Sequence, residues 1–203
     1  MIYDDNGNMK LKLGYVLNFN NYMNKTFKYG LAINGKVETR NTTSEDYDKL
    51  YKAVSADQFV KQEGGICWDY VIYEAQWFKD NIPELNIKTW YVIFDKEPDY
   101  PTHTFITFKY NDVYVLFESS FKKVQGMYYA KSEKDLINFI LYNMNNHNYD
   151  SYVFNYNPLD KRIPGMNCME FMKFVEDNGK EVRHKFNSNF NITKITKENV
   201  NKI

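Results

Sequence analysis

Cysteine, proline and histidine are scarce in this chain, with two, five and three copies among 203 residues, and net charge is missing altogether, 26 basic side chains standing against 26 acidic ones. Two cysteines, Cys67 and Cys168, cannot build the disulfide framework of a small secreted scaffold. A balanced charge exerts no global pull toward nucleic acid or an anionic membrane. No apolar run approaches the ~20 residues that span a bilayer, and the opening MIYDDNGNMK lacks the basic and apolar regions of an export signal. Internal repeats and Gly-, Ser- or Pro-rich linkers are absent as well. The expectation is one cytoplasmic domain over residues 1–203, with both thiols reduced and neither nucleic acid nor membrane as a partner.

What is abundant is aromatic: 18 Tyr and 15 Phe supply much of the apolar content. The first forty residues read as strand, LKLGYVLNF alternating loosely and KYGLAINGKVETR carrying the hairpin signal Asn34-Gly35. Helical stretches follow. In TTSEDYDKLYKAV, Ser44 is the candidate N-cap and Tyr47, Leu50, Tyr51 and Val54 share a stripe. In SADQFVKQ, Ser55 caps and Gln58 stands three residues on, as in a capping box. A further helix runs from about Cys67 to Lys79, with Pro83 ending any continuation. Three strands come next, IKTWYVIF, THTFITFKY and VYVLFESSF, then a helix after Ser132, the strand YVFNYNP, and a last helix, NCMEFMKFVEDNGK, closed by Gly179. EVRHKFN reads as one more strand, and the polar tail NITKITKENVNKI as a fraying end. Strands, helices, a meander and helices again give an α+β domain, with an N-terminal β-rich segment over 1–43, a core over about 44–145 and a C-terminal extension over 150–203.

Within that order, GGICWDYVIYEAQWF at 64–78 places a cysteine where a helix begins. The unpaired N–H groups and partial positive charge of a helix N-terminus favour a thiolate, the form that attacks a carbonyl carbon. Glycines ahead of it let the chain turn sharply and leave room for a substrate. A histidine stands at the head of THTFITFKY, and the two-residue turn Asn111-Asp112 fixes the register of the hairpin that follows: residue 110 faces 113, 105 faces 118 and 103 faces 120. Thr104, Ile106, Phe108, Val113, Val115 and Phe117 then form a core face, while His103, Phe105, Thr107, Tyr114, Leu116, Glu118 and Ser120 share the other. His103 and Glu118 become diagonal neighbours at ~7–8 Å between backbones, within reach of each other's side chains. Glu118 is expected to accept a hydrogen bond from the histidine's Nδ1 and to stabilise the imidazolium. Thiol, imidazole and orienting carboxylate make up a nucleophilic triad. Asp112 lies at the far turn, Asp69 shares the cysteine's helix, and Asp95 and Asp99 precede the histidine in a loop, so Glu118 is the acid best placed.

Gly-Gly-Ile-Cys67-Trp-Asp before a helix, Thr-His103-Thr heading a strand and Glu118 ending the next resemble the transglutaminase-like branch of the papain-fold thiol enzymes, over roughly residues 55–125. Arylamine N-acetyltransferases, on a related fold, have a similar Gly-Gly-x-Cys opening and similar spacing. The resemblance implies a papain-like core in which the Cys helix packs against an antiparallel sheet bearing histidine and acid. It also implies a glutamine ahead of the nucleophile as an oxyanion donor: Gln62 by closeness, or Gln58. Trp68 is then either a wall of the cleft or packing beneath the helix. The family's acid is usually Asp, where this chain has Glu118.

The chemistry expected is acyl transfer from an amide or peptide through a Cys67 thioester, on a protein, peptide or small acyl substrate. Resolution by water makes a peptidase or amidase; resolution by an amine makes a transglutaminase or N-acetyltransferase, and the sequence leaves the acceptor open. A non-catalytic binding protein on the same fold is the alternative of a different class. No cofactor is called for, and no phosphate-gripping loop for coenzyme A is apparent. Cys67, His103, Cys168 and His184 lack the paired close spacing of zinc ligands, so no metal is expected. Cys168 reads as core, and His147, in an Asn-rich loop, as solvated.

Overall fold

The computed structural model describes residues 2–3, 9–10, 13–38, 43–95, 101–144, 150–182 and 184–203. Asp99 and His147 lie outside the described residues. In chain order come β1 (Ile2–Tyr3), β2 (Met9–Lys10), α1 (Leu13–Thr26), β3 (Lys28–Tyr29), β4 (Leu31–Ile33), β5 (Lys36–Glu38), α2 (Ser44–Leu50), α3 (Ala56–Lys61), β6 (Gly64–Gly65) and α4 (Cys67–Asn81). They are followed by β7 (Ile87–Phe94), β8 (Thr102–Tyr110), β9 (Val113–Glu118), β10 (Gly126–Ala130), α5 (Glu133–Asn143), β11 (Ser151–Tyr156), α6 (Cys168–Asn178), β12 (Lys180–Glu181) and β13 (Thr193–Ile195).

The architecture is α+β, built on a seven-stranded sheet of order β12-β11-β7-β8-β9-β10-β13 in which every neighbouring pair is antiparallel. The β8–β9 register follows from the turn: Tyr110 faces Val113, Phe108 faces Val115 and Ile106 faces Phe117, with Asn111 at φ 50°. One face carries Ile106, Phe108, Val113, Val115 and Phe117 onto Leu13, Val16 and Met23 of α1 and Val71, Ala75 and Phe78 of α4. The opposite face is buried too. Trp90, Val92, Phe105 and Leu116 pack under Leu136, Ile137, Ile140 and Leu141 of α5. Each large side chain so covered contributes ~1.5–3 kcal/mol. On the flank of α4, α6 adds a third cluster, with Trp68 stacked on Phe171 at 4.3 Å between ring centroids.

Several expectations are corrected. Residues 13–26 are helical, so the 1–43 segment is not uniformly β-rich. Leu13, Val16, Leu17, Asn20 and Met23 recur at helical spacing and are buried, whereas Tyr15, which an alternating strand would bury with Leu13, is exposed. Asn34 and Gly35 do form the hairpin turn, both at positive φ, between β4 and β5. Thr43, not Ser44, caps α2: its Oγ1 accepts from the Asp46 N–H and its own N–H donates to Asp46 Oδ2. The helix stops at Leu50 because Tyr51 and Ala53 are buried in non-helical chain, where the Ala53 N–H bonds Met166 O at 2.8 Å and the Gly165 N–H bonds Ala53 O at 2.7 Å. Ser55 caps α3 by accepting from the Gln58 N–H at 3.3 Å.

The C-terminal part differs as well. Within EVRHKFN, Glu181 pairs with Phe154 in the short β12 beside β11 and the Val182 N–H bonds Val153 O at 2.8 Å, while 184–187 are in no strand. The tail does not simply fray: β13 forms a sheet edge on β10, with Ile195 buried. The sheet therefore extends beyond 44–145, since β11 sits between β7 and β12. Among the described residues, no helix is long and apolar enough to cross a membrane.

Candidate active site

The glycines before Cys67 answer to a close crossing of chains. β6 pairs in parallel with β3, Lys28 beside Gly64 and Tyr29 beside Gly65, and the Gly30 N–H bonds Gly65 O at 3.0 Å. Gly64 has φ 139°, and a Cβ there would lie 2.0 Å from Lys28 O. A Cβ on Gly65 would lie 2.5 Å from Asp69 Oδ2. Any other residue at either position displaces β3 or the carboxylate that organises the helix start.

Asp69 is that carboxylate. Buried in the first turn of α4, it accepts from the Ile66 N–H at 3.0 Å, the Tyr51 hydroxyl at 2.9 Å and the Val54 N–H at 3.2 Å. Burial pushes its carboxyl up to about 7, against the pull of those three donors. It braces the helix N-terminus and takes no part in orienting His103. Cys67 is thereby the first residue of α4, buried, with the helix N–H groups behind it.

His103, on β8, and Glu118, ending β9, are both buried, and the imidazole Nε2 lies 2.7 Å from Glu118 Oε2. Glu118 Oε1 accepts from the Ser120 N–H at 2.8 Å, the Phe121 N–H at 2.8 Å and the Ser120 hydroxyl at 3.0 Å. Burial pushes the Glu118 carboxyl up, but the imidazolium charge, its hydrogen bond and the two backbone donors outweigh this and hold it below the usual range. Burial likewise pulls His103 down, and the Glu118 carboxylate together with the Cys67 side chain, the ring's other polar partner, raises it above its ordinary value. The nitrogen facing Glu118 is Nε2, not the expected Nδ1. That leaves Nδ1 as the ring nitrogen not engaged by Glu118.

Tyr29 and Glu74 belong to the site without having been singled out from the sequence. The Tyr29 side chain, about a third exposed (36%), lies beside Cys67. Burial first and the neighbouring thiol next raise the phenol above its ordinary range. With Thr102, His103 and Phe121, this tyrosine lines a cleft of about 340 Å³. Glu74, also buried, accepts from the Ser119 hydroxyl. No local pattern announces either one.

The remaining candidates are placed as follows. Gln62 is buried with its Nε2 donating to Gly64 O at 2.9 Å, so it ties the loop rather than facing the sulfur. Gln58 is exposed on α3. Trp68 packs beneath the helix against Phe171 and Tyr51, its indole N–H without a hydrogen-bond partner among the described residues, and does not wall the cleft. Asp95 and Asp112 are exposed beyond their strands. Cys168 is buried at the start of α6, its thiol 3.5 Å from Tyr47 O and pushed up to about 12, by burial first. His184 bonds Asn138 Oδ1 at 2.8 Å and is drawn down to about 4, by burial and then by Lys134. Among the described residues no three His, Cys, Asp or Glu side chains gather as a metal site. Comparison with known proteins gives no matching family model and no matching curated protein.

Proposed function

We propose that the protein is a thiol-nucleophile enzyme that cleaves or transfers an acyl group, amide or peptide, through a thioester on Cys67, on a papain-like core. The observation that carries the reading is the buried 2.7 Å contact between His103 Nε2 and Glu118 Oε2, with Cys67 near the same histidine at the head of a helix. Support for the papain-like core comes from α4, which starts at the nucleophile and packs on the sheet that bears the histidine and acid on adjacent antiparallel strands.

The thiol gives its proton to His103 Nδ1, and Glu118 holds the resulting imidazolium through Nε2–H. The sulfur attacks the acyl carbon, the carbonyl π pair moves to oxygen, and the oxyanion draws on the Cys67 N–H at the helix N-terminus. Collapse of this intermediate expels the leaving group, which takes the proton from Nδ1. Water or an amine then attacks the thioester while Nδ1 accepts its proton, and the thiol is regenerated. Tyr29, beside Cys67, borders the cleft that the acyl group would enter. Both cysteines are free, in keeping with the cytoplasmic setting we assign.

Intact-mass analysis after brief exposure to an activated acetate ester tests the assignment. One acetyl group should appear on wild type and on Cys168→Ala, and none on Cys67→Ala. Acetylation that persists in Cys67→Ala would overturn it. A second reading, a binding protein that keeps the constellation without turnover, is favoured by the burial of Cys67 behind Tyr29; it requires that no acyl adduct form.

A further inference from the structure

Glu118 ends β9 in a turn that three other parts of the molecule pin. Asn20 of α1, fully buried, donates from Nδ2 to Glu118 O at 3.1 Å. Gln125 donates from Nε2 to Ser119 O at 2.6 Å. Glu74 of α4 takes the Ser119 hydroxyl. Of the three, Glu74 alone stands on the helix that begins with Cys67, seven residues on and so about two turns along nearly the same face.

A carboxyl group is a demanding choice for such a place. Glu74 is 2% exposed and sits near Glu118 and His103. Two neighbouring buried carboxyl groups do not both ionise cheaply, and the partners decide which one does. Glu118 has four: His103, the Ser120 and Phe121 N–H groups and the Ser120 hydroxyl. The hydrogen bond shown at the Glu74 carboxyl is the one from Ser119. The charge therefore resides on Glu118 and the proton on Glu74, whose pinning of the turn brings no second anion against the ion pair. An amide of the same shape meets these requirements; an apolar stub does not.

We propose that Glu74 is a positioning residue for the triad, joining the nucleophile's helix to the Glu118 turn through Ser119 and thereby aiming the Glu118 carboxylate at His103. The proposal rests on the thiol-enzyme reading above and assigns that site a fourth polar residue, which acts through the acid rather than on the substrate.

The test measures the iodoacetamide labelling rate of Cys67 across pH in wild type, Glu74→Ala, Glu74→Gln, Glu118→Gln and the double variant Glu74→Ala/Glu118→Gln. Glu74→Ala should slow labelling near neutral pH about tenfold, as expected when a reacting group is misplaced by a fraction of an ångström. Glu74→Gln should restore most of the rate. Glu74→Ala should add little to Glu118→Gln, because it acts through that residue. Should Glu74→Ala fail to fold, Ser119→Ala replaces it, with the same slowing expected and the same lack of additivity. Wild-type labelling in Glu74→Ala, or a loss that multiplies fully with that of Glu118→Gln, overturns the proposal while leaving the triad standing. If Glu118→Gln itself labels at the wild-type rate, the triad reading falls and this proposal with it.

Discussion

His103 Nε2 and Glu118 Oε2 lie 2.7 Å apart between two adjacent antiparallel strands, and neither side chain is more than 7% exposed. A contact this short and this dry gives the imidazole one orientation, so the consequences of disturbing either group can be stated in advance.

Glu118→Gln removes the charge and one acceptor. A carboxylate takes donors on both oxygens, His103 on one and the Ser120 and Phe121 N–H groups on the other; an amide accepts on only one. Either the imidazole loses its partner or backbone donors do. Labelling of Cys67 near neutral pH should slow by about tenfold, one pKa unit's equivalent. The melting temperature should fall by several degrees, reflecting about 1–3 kcal/mol for an unpaired buried group. Glu118→Asp keeps both acceptors and should lie between the two.

The Tyr29 phenol lies beside Cys67 and lines the cleft. Tyr29→Phe keeps the ring against Tyr70, at 6.2 Å between centroids, and removes only the hydroxyl. Labelling of Cys67 should rise a few-fold with the fold unchanged, as followed by iodoacetamide kinetics and circular dichroism. A slower rate would mean that the hydroxyl assists the sulfur instead of covering it.

Much of this was legible in the chain because it depends on short-range rules. The His103–Glu118 diagonal follows from a two-residue turn and a period of two, and the position of Cys67 from a glycine pair and the helical stripe after it. What escaped depends on distance or phase. Residues 11–19 fit a short strand as well as a helix until Asn20 and Met23 extend the helical spacing. Tyr29 reaches Cys67 only because β3 pairs in parallel with β6, and no local pattern encodes that contact. Glu74 meets Ser119 only once α4 has docked on the sheet. The edge strand β13 is polar and exposed apart from Ile195, so composition hides it.

Burial pushes the Glu74 carboxyl up to about 8, the Glu118 carboxylate adding to this and Ser119 and His103 opposing it. In the unfolded chain a glutamate ionises near ~4.3. Between these values the native protein keeps a proton that the unfolded chain releases, so this group makes native stability fall as pH rises. Glu74→Gln cannot ionise. Its stability relative to wild type should increase from about pH 4.5 to about pH 8 and then level off, as read from urea midpoints. A pH-independent difference would contradict this.

Gly64→Ala forces a side chain into φ 139° and against Lys28 O. It should cost about 2–4 kcal/mol, the range for strain combined with a backbone clash. Cys168→Ala should cost about 1–2 kcal/mol and leave labelling of Cys67 at the wild-type rate. Urea unfolding and peptide mapping of the labelled thiol separate the two effects.

The most direct test of the central claim is the rate at which iodoacetamide labels Cys67 at about pH 6.5, some two units below an ordinary thiol's ~8.5, compared with the same cysteine in an unfolded peptide. A sulfur that shares its proton with a carboxylate-backed imidazole should react faster in the folded protein, and His103→Ala should remove the advantage. If folded Cys67 labels no faster than the peptide, or if His103→Ala leaves its rate unchanged, Cys67, His103 and Glu118 are not a working nucleophilic site.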